Sequence, residues 1–309
     1  MKEKIRDILI SSGASAVGFA QAGEVDSGIM EKLSEWVASG NHGDMEYLKR
    51  HVNLKKNTDN VLPDAKTVIS LAFSYAPAEK RPSDKNYIGA YSYGEDYHVT
   101  IREILNPIIK NFQLSLGGKW RICIDSAPVA ERYWALKSGI GKLGLNGNLI
   151  VEGYGSYVFL AEILTTLEFE PDSASEEWCV KCGKCISVCP GKALNGDGTM
   201  CASRCINYLT IEKKGDFSES EIELVNKAGG SLYGCDRCMD ICPHNKGIES
   251  TAIKNFKLRE DIKNLTPDFF LSTNEEEFKR KFSRSPLLYA GFARLRRNAE
   301  AIKKTIDNQ

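Results

Sequence analysis

The 309-residue chain contains no run of about 18 uncharged apolar residues, the length a membrane-spanning helix needs. Its opening, Met1 to Asp7, is charged and leads into a short amphipathic pattern, unlike the continuous apolar stretch of a secretory signal. Both absences point to a cytoplasmic protein without a membrane partner. Net charge is also missing. Lys and Arg number 41 and so do Asp and Glu, so no overall field draws the chain towards nucleic acid, and any such site has to be a local patch. Hydrophobic residues at 42% and charged residues at 27% leave no polar surplus of the kind that marks disorder. There is no solenoid-length repeat and no low-complexity tract. The length accommodates two compact domains, at about 100 to 200 residues each.

Cysteine is what the sequence has in plenty. Nine of the ten fall between Cys179 and Cys242, and without a signal peptide a secreted disulfide scaffold is the wrong frame for them. The first group reads Cys179-x2-Cys182-x2-Cys185-x3-Cys189-Pro190 and the second Cys235-x2-Cys238-x3-Cys242-Pro243. This is the spacing of bacterial two-cluster ferredoxins, in which three thiolates of a tight loop bind one cubane and the fourth reaches the other. Cluster one then takes Cys179, Cys182, Cys185 and Cys242; cluster two takes Cys189, Cys235, Cys238 and one of Cys201 or Cys205. Paired zinc knuckles share the Cys-x2-Cys element but require neither the third cysteine nor the closing Cys-Pro. Cys123, within Trp120-Arg-Ile-Cys-Ile124, reads as a small buried hydrophobe.

Upstream, helical and strand patterns alternate: a helix from Ile5 ending near Gly13, a buried strand from Thr67, a helix over Val99 to Leu114, a strand over Gly118 to Ile124, a helix from Pro128 to Lys137 and a strand over Ser156 to Leu164. Residues 1–170 are expected to form one α/β domain. A linker over Glu168 to Glu177 leads into a ferredoxin-like module over 171–249, and a helical, basic segment fills 250–309. Between Lys279 and Lys304 this segment carries nine basic residues against one acid after Arg284, Glu300, usually a solvated face. A ferredoxin module joined to a larger domain implies electron delivery to a second redox centre.

The segment Cys123-Ile-Asp125-Ser-Ala-Pro128-Val-Ala-Glu131-Arg132, continuing through Ser138-Gly139-Ile-Gly141-Lys-Leu-Gly144-Leu-Asn146, resembles the epoxyqueuosine reductase family. So do Tyr91 to His98, Gly155 to Glu162, Cys205 to Glu212 and Leu232 to Cys238, in the family's order. The resemblance implies a nitroreductase-like α/β domain holding base-off cobalamin, two 4Fe-4S clusters, an external low-potential electron donor, and reduction of epoxyqueuosine to queuosine at the wobble position of tRNA. It implies Cys205 as the last ligand of cluster two and leaves Cys201 free. It implies Asp125 as the proton donor, protonated through burial, although Asp125-Ser-Ala-Pro128 alone also reads as a helix start. Corrin contacts are implied for Lys55, Asp125, Gly144, Asn146, Leu149, Leu160, Asn207, Asp236 and Arg237. Lys55 stands where the family generally has arginine, and Gly89 where some members have cysteine.

Asp96-Tyr97-His98 is similar to the Asp-x-His-x-x-Gly signature of proteins whose histidine ligates cobalt, but Ile101 takes the glycine position. His98 is therefore expected to pack or hydrogen-bond. Longer members continue into HEAT-like repeats; the present chain, expected to be monomeric, would rely on Lys279 to Lys304 and on Thr210 to Lys214 to meet tRNA phosphates. The competing readings are a cobalamin-dependent reductive dehalogenase, a class that typically carries an export signal, and a non-enzymatic electron carrier.

Overall fold

The computed structural model describes residues 1–82, 86–173 and 179–306, the side chains of 305 and 306 apart. The strand Thr67–Ser74 is buried at all eight positions. With no polar face, it can only be an interior strand covered on both sides. It pairs antiparallel with Ala16–Gln21 and with Val158–Thr165, and Trp120–Cys123 adds to the far edge of the latter. Helices and strands alternate along the chain as expected, yet every pairing in this four-stranded sheet is antiparallel.

One face of the sheet presents Phe19, Ile69, Leu71, Phe73, Phe159 and Ile163 to the helices Lys2–Ser11 and Tyr97–Leu116, through Ile5, Leu9, Ile101 and Leu105. On the other face Val68, Cys123 and Leu164 pack under Trp134 of the helix Glu131–Lys137. Cys123 is fully buried, the hydrophobe its surroundings predicted. A Cβ at Gly18 would lie 2.1 Å from the carbonyl oxygen of Ser138; glycine there lets the end of that helix settle onto the sheet.

The first core continues into the second half of the chain through Leu232, Tyr233, Phe256, Phe270, Phe278 and Leu295. The last helix, Phe292–Ile306, stitches this region together. Buried Asn298 donates to the carbonyls of Thr210 and Leu232 at 2.8 and 2.9 Å, and Arg297 to those of Leu209, Lys213 and Gly215 at 2.8, 2.9 and 2.7 Å. These carbonyls lie in or after the π-helical turn Tyr208–Glu212, next to the cysteine-bearing segments.

One boundary beside the site differs from expectation, and one lies partly outside the described residues. The helix predicted from Pro128 starts at Glu131, capped by Ala130 without a side-chain bond, so Asp125 and Ser126 are loop residues and not its cap. Residues 174–178 of the predicted linker lie outside the described residues. Asp172, just before them, is tied to Lys2 and Arg6 at 2.6 and 2.9 Å and accepts the amide of Phe19 at 2.8 Å. Among the described residues no helix is long and apolar enough to cross a membrane.

Candidate active site

Where Trp120–Cys123 ends, the chain turns at Asp125 with φ +47°, a left-handed conformation that is strained for a residue with a Cβ. The turn sets its carboxylate beside the start of Tyr97–Leu116. Nε2 of His98 lies 3.3 Å from Asp125 Oδ2, and Nδ1 of His98 lies 2.9 Å from Asp96 Oδ1. The same Asp96 oxygen caps the helix by accepting the amide of His98 at 2.8 Å. The cap that starts the helix thus also aims the imidazole. Tyr97 stacks between His98 and Phe159, with ring centroids 4.1 and 4.2 Å away, and its phenol lies close enough to Asp125 to favour the ionised carboxylate.

Burial disfavours the charged imidazolium of His98, but its hydrogen bonds to Asp125 and Asp96 outweigh that and raise its pKa to about 9. For Asp125 burial pushes upward while His98, and then Tyr97, pull harder the other way, holding the carboxyl below its usual range. Its side chain is 60% exposed, which favours the neighbouring charges over burial in setting the sign. At neutral pH the proton therefore sits on His98 and Asp125 is ionised. The expectation that burial keeps Asp125 protonated is corrected: the proton is one hydrogen bond away. His98 is the hydrogen-bonding residue it was expected to be.

Beneath the Asp125 turn lies a group whose roles sequence reasoning missed. Glu131 Oε1 accepts the amide of Asp125 at 2.6 Å, and Lys55 Nζ donates to the carbonyl of Val129, in the same loop, at 3.0 Å. Glu162 is the cross-strand partner of Cys123, is 0% exposed, and among the described residues hydrogen-bonds through neither oxygen. Burial lowers the Lys55 amine; burial and then the charge of Asp125 push Glu131 up to about 7; burial raises Glu162 well above the carboxylate range, so it is neutral. The available signal was a lone acid inside the apolar strand Val158–Thr165.

The cysteines gather into two sets. Cys185 and Cys242 each feel the charge of Cys179, with Cys182 beside Cys242, while Cys189, Cys235 and Cys238 all neighbour Cys205. Cys201 instead faces the hydroxyl of Ser203 at 3.2 Å. Burial raises the thiols of Cys185, Cys205, Cys235, Cys238 and Cys242, Cys235 to about 12. The amide of Ala193 donates to Cys189 Sγ at 3.3 Å, and the neighbouring backbone of Ile186, Tyr208, Arg237 and His244 works against burial at Cys185, Cys205, Cys235 and Cys242. Buried thiols with backbone amides close by suit cubane iron, whose positive charge stabilises thiolates that burial otherwise disfavours. Among the described residues no three His, Cys, Asp or Glu side chains converge as ligands of a single metal ion. Cys182 is exposed and its neighbour Val180 is 64% exposed, so the first set lies at the surface.

The remaining predicted contacts divide into cradle and framework. Asn207 grips Cys235, accepting its amide at 2.9 Å and donating to its carbonyl at 3.1 Å. Asn146 reaches the carbonyl of Cys238 at 3.5 Å, which joins the Gly144 turn to the second cysteine set. Asp236 is buried and accepts the amide of Ala90 at 2.5 Å; burial lifts its pKa to about 6. Leu149 is buried in the hairpin opposite Leu143, whereas Leu160 is half-buried. Arg237, partly exposed, keeps a buried Nε with no acceptor among the described residues. An unpaired donor beside cluster-two cysteines, with the half-buried Leu160 and the exposed Leu143, fits a large, mostly apolar ligand rimmed by hydrogen-bond acceptors.

The basic C-terminal segment spends most of its charge within the protein. Lys279 pairs with Glu275, Arg284 with Glu95 and Glu103, Arg296 with Glu300, and Lys303 with Asp268, at 2.7 to 3.3 Å. Arg297 is committed to backbone carbonyls and Lys281 lies over the ring of Phe269. A different basic stretch is open. Lys49, Arg50 and Lys56 are exposed, and none has an ion-pair partner among the described residues; no acid lies between Glu46 and Asp59. They flank Lys55, whose charge is felt by Asp125.

Two family models match the chain: "Epoxyqueuosine reductase QueG, DUF1730" over residues 56–126 and "4Fe-4S double cluster binding domain" over residues 178–245. The epoxyqueuosine reductase of Cellulophaga algicola is 32% identical over 307 residues, covering 98% of this chain and 99% of its own. A crystal structure of epoxyqueuosine reductase with an epoxyqueuosine-modified tRNA-Tyr stem loop superposes with a TM-score of 0.87 at 29% identity, over 97% of this chain and 80% of that one. The Bacillus subtilis epoxyqueuosine reductase, described with its catalytic aspartate loop swung out of the active site, gives 0.85 at 28% identity over the same shares.

Proposed function

The chain belongs to the epoxyqueuosine reductase family, and from that premise we propose that it reduces epoxyqueuosine to queuosine at the wobble position of tRNA, drawing electrons through two 4Fe-4S clusters. The observation that carries the reading is likeness along nearly the whole chain. The placement of Asp125 beside a protonated His98 supports it. Turning an epoxide into an alkene consumes two electrons and two protons and releases water, so a site for it needs a reductant on one side and a proton source on the other.

Cys179, Cys182, Cys185 and Cys242 would hold the cluster nearer the surface, where an external low-potential donor delivers electrons. Cys189, Cys205, Cys235 and Cys238 would hold the inner one. Base-off cobalamin would lie against Lys55, Asp125, Gly144, Asn146, Leu149, Leu160, Asn207, Asp236 and Arg237, and when bound it supplies the strongly reducing cobalt centre that the bond chemistry requires. The protein's own part is proton supply and positioning. Asp125 presents Oδ2 to the departing oxygen and passes on the proton held at Nε2 of His98, while Asp96 fixes the imidazole through Nδ1 and stabilises its charge.

The unpaired wobble base of an anticodon loop can enter such a site where duplex RNA could not. Lys49, Arg50 and Lys56 are exposed and have no acidic partner among the described residues, and they meet the loop phosphates. The turn carrying Asp125 opens and closes over the base, as the Bacillus subtilis loop is described to swing. The protein acts as a monomer.

The test is anaerobic reconstitution with iron, sulfide and cobalamin, followed by incubation with epoxyqueuosine-containing tRNA and a low-potential reductant. Nucleoside mass spectrometry should show cobalamin-dependent loss of one oxygen. Intact clusters and bound cobalamin without conversion would overturn the reading.

A further inference from the structure

Asp125 does not hold its turn by its own preference. Its φ of +47° lies in the left-handed region, which aspartate enters more readily than most residues but still at a cost, and the helix that follows has no side-chain cap to fix the entry of the chain. Two bonds from below supply the constraint: Glu131 accepts the Asp125 amide at 2.6 Å and Lys55 holds the Val129 carbonyl at 3.0 Å. Glu131 is itself the first residue of the helix Glu131–Lys137, so the bond closes the loop onto a rigid element. Glu162, fully buried and without a hydrogen bond among the described residues, stands across the strand pair from Cys123, two positions before the turn.

We infer that Glu131 is a positioning residue: by accepting the Asp125 amide it latches the strained turn in the conformation that aims Asp125 at the substrate. This rests on the reading of Asp125 as the group that delivers the proton. Glu131 touches neither substrate nor cofactor in this role. What matters is an acceptor oxygen at the right reach, and negative charge is secondary. A mainly electrostatic role for the buried carboxylate makes the opposite demand, and the two separate cleanly by substitution.

Glu131→Gln keeps an acceptor oxygen at the same length; Glu131→Asp keeps the charge but withdraws the oxygen by one methylene. The latch requires hydrogen exchange over residues 124–130 of the cofactor-free chain to stay near wild type in Glu131→Gln and to accelerate in Glu131→Asp and Glu131→Ala. It also requires kcat to fall about 10- to 100-fold in Glu131→Asp at unchanged KM for tRNA, the scale expected when a reacting group is misplaced by about 1 Å, and to stay within about threefold of wild type in Glu131→Gln. The reverse order, with Glu131→Asp like wild type and Glu131→Gln impaired, overturns the latch, as does unchanged exchange in all variants. If Glu131→Ala fails to fold, the Gln and Asp pair still decides. Exchange that behaves as required in a protein that converts no epoxyqueuosine leaves the latch standing and overturns the assigned reaction.

Discussion

The imidazole of His98 bridges two carboxylates, with Asp96 2.9 Å from one ring nitrogen and Asp125 3.3 Å from the other. The bridge fixes where a proton resides at neutral pH and how that residence changes with pH.

Stability should report it directly. His98 titrates near 6.5 when unfolded and at about 9 when folded, so its contribution is complete below pH 6.5 and is lost as pH rises through about 9. His98→Gln should cost stability at pH 6 and progressively less towards pH 9.5. Anaerobic denaturant unfolding at a series of pH values measures this; a constant difference between the two proteins would contradict the bridge.

Asp125→Asn should retain iron, bound cobalamin and tRNA affinity and lose about 100- to 10,000-fold in single-turnover rate, the range for removing a general acid. Asparagine tolerates the left-handed backbone of this turn, so the loss reports proton delivery and not a collapsed loop. Nucleoside mass spectrometry on timed samples reads the rate.

Cys205→Ser should halve the iron that reconstitution installs, whereas Cys201→Ser, whose sulfur faces Ser203, should bind about eight iron atoms per chain as wild type does. Iron and sulfide analysis distinguishes the two. Equal loss in both variants would reopen the assignment of the fourth ligand.

Reversing Lys49, Arg50 and Lys56 together to Glu should weaken stem-loop binding and flatten its dependence on salt, because each phosphate contact contributes about one counterion to the slope. The same reversal at Lys279 and Arg296, already paired with Glu275 and Glu300, should change affinity much less. Fluorescence anisotropy across a salt series gives both slopes.

The sequence revealed most where chemistry imposes spacing. Cysteine intervals alone divide the thiols into the two groups that the fold brings together, apart from the choice between Cys201 and Cys205, because a cubane dictates how few residues may lie between its thiolates. The apolar run from Thr67 disclosed the central strand for a similar reason: all eight positions are covered. What it concealed depends on long-range company. Asp125-Ser-Ala-Pro128 looks like a helix cap until Glu131 is seen to hold the Asp125 amide. The basic run after Lys279 looks like a nucleic-acid patch until Glu95, Glu103 and Asp268, distant in sequence, are found against it. The ionisation of Asp125 depends on His98, 27 positions earlier, and burial alone points the other way.

The stitching by Arg297 and Asn298 bears on how the protein matures. The stretch around Cys205 and Cys235 is secured by carbonyl bonds to side chains some 60 to 90 positions later. On the ribosome the cysteines emerge well before the helix that fastens their surroundings, so for a time the second cysteine set is threaded but unbraced. A chain cut short before Arg297 should therefore keep every cysteine and yet hold this set loosely.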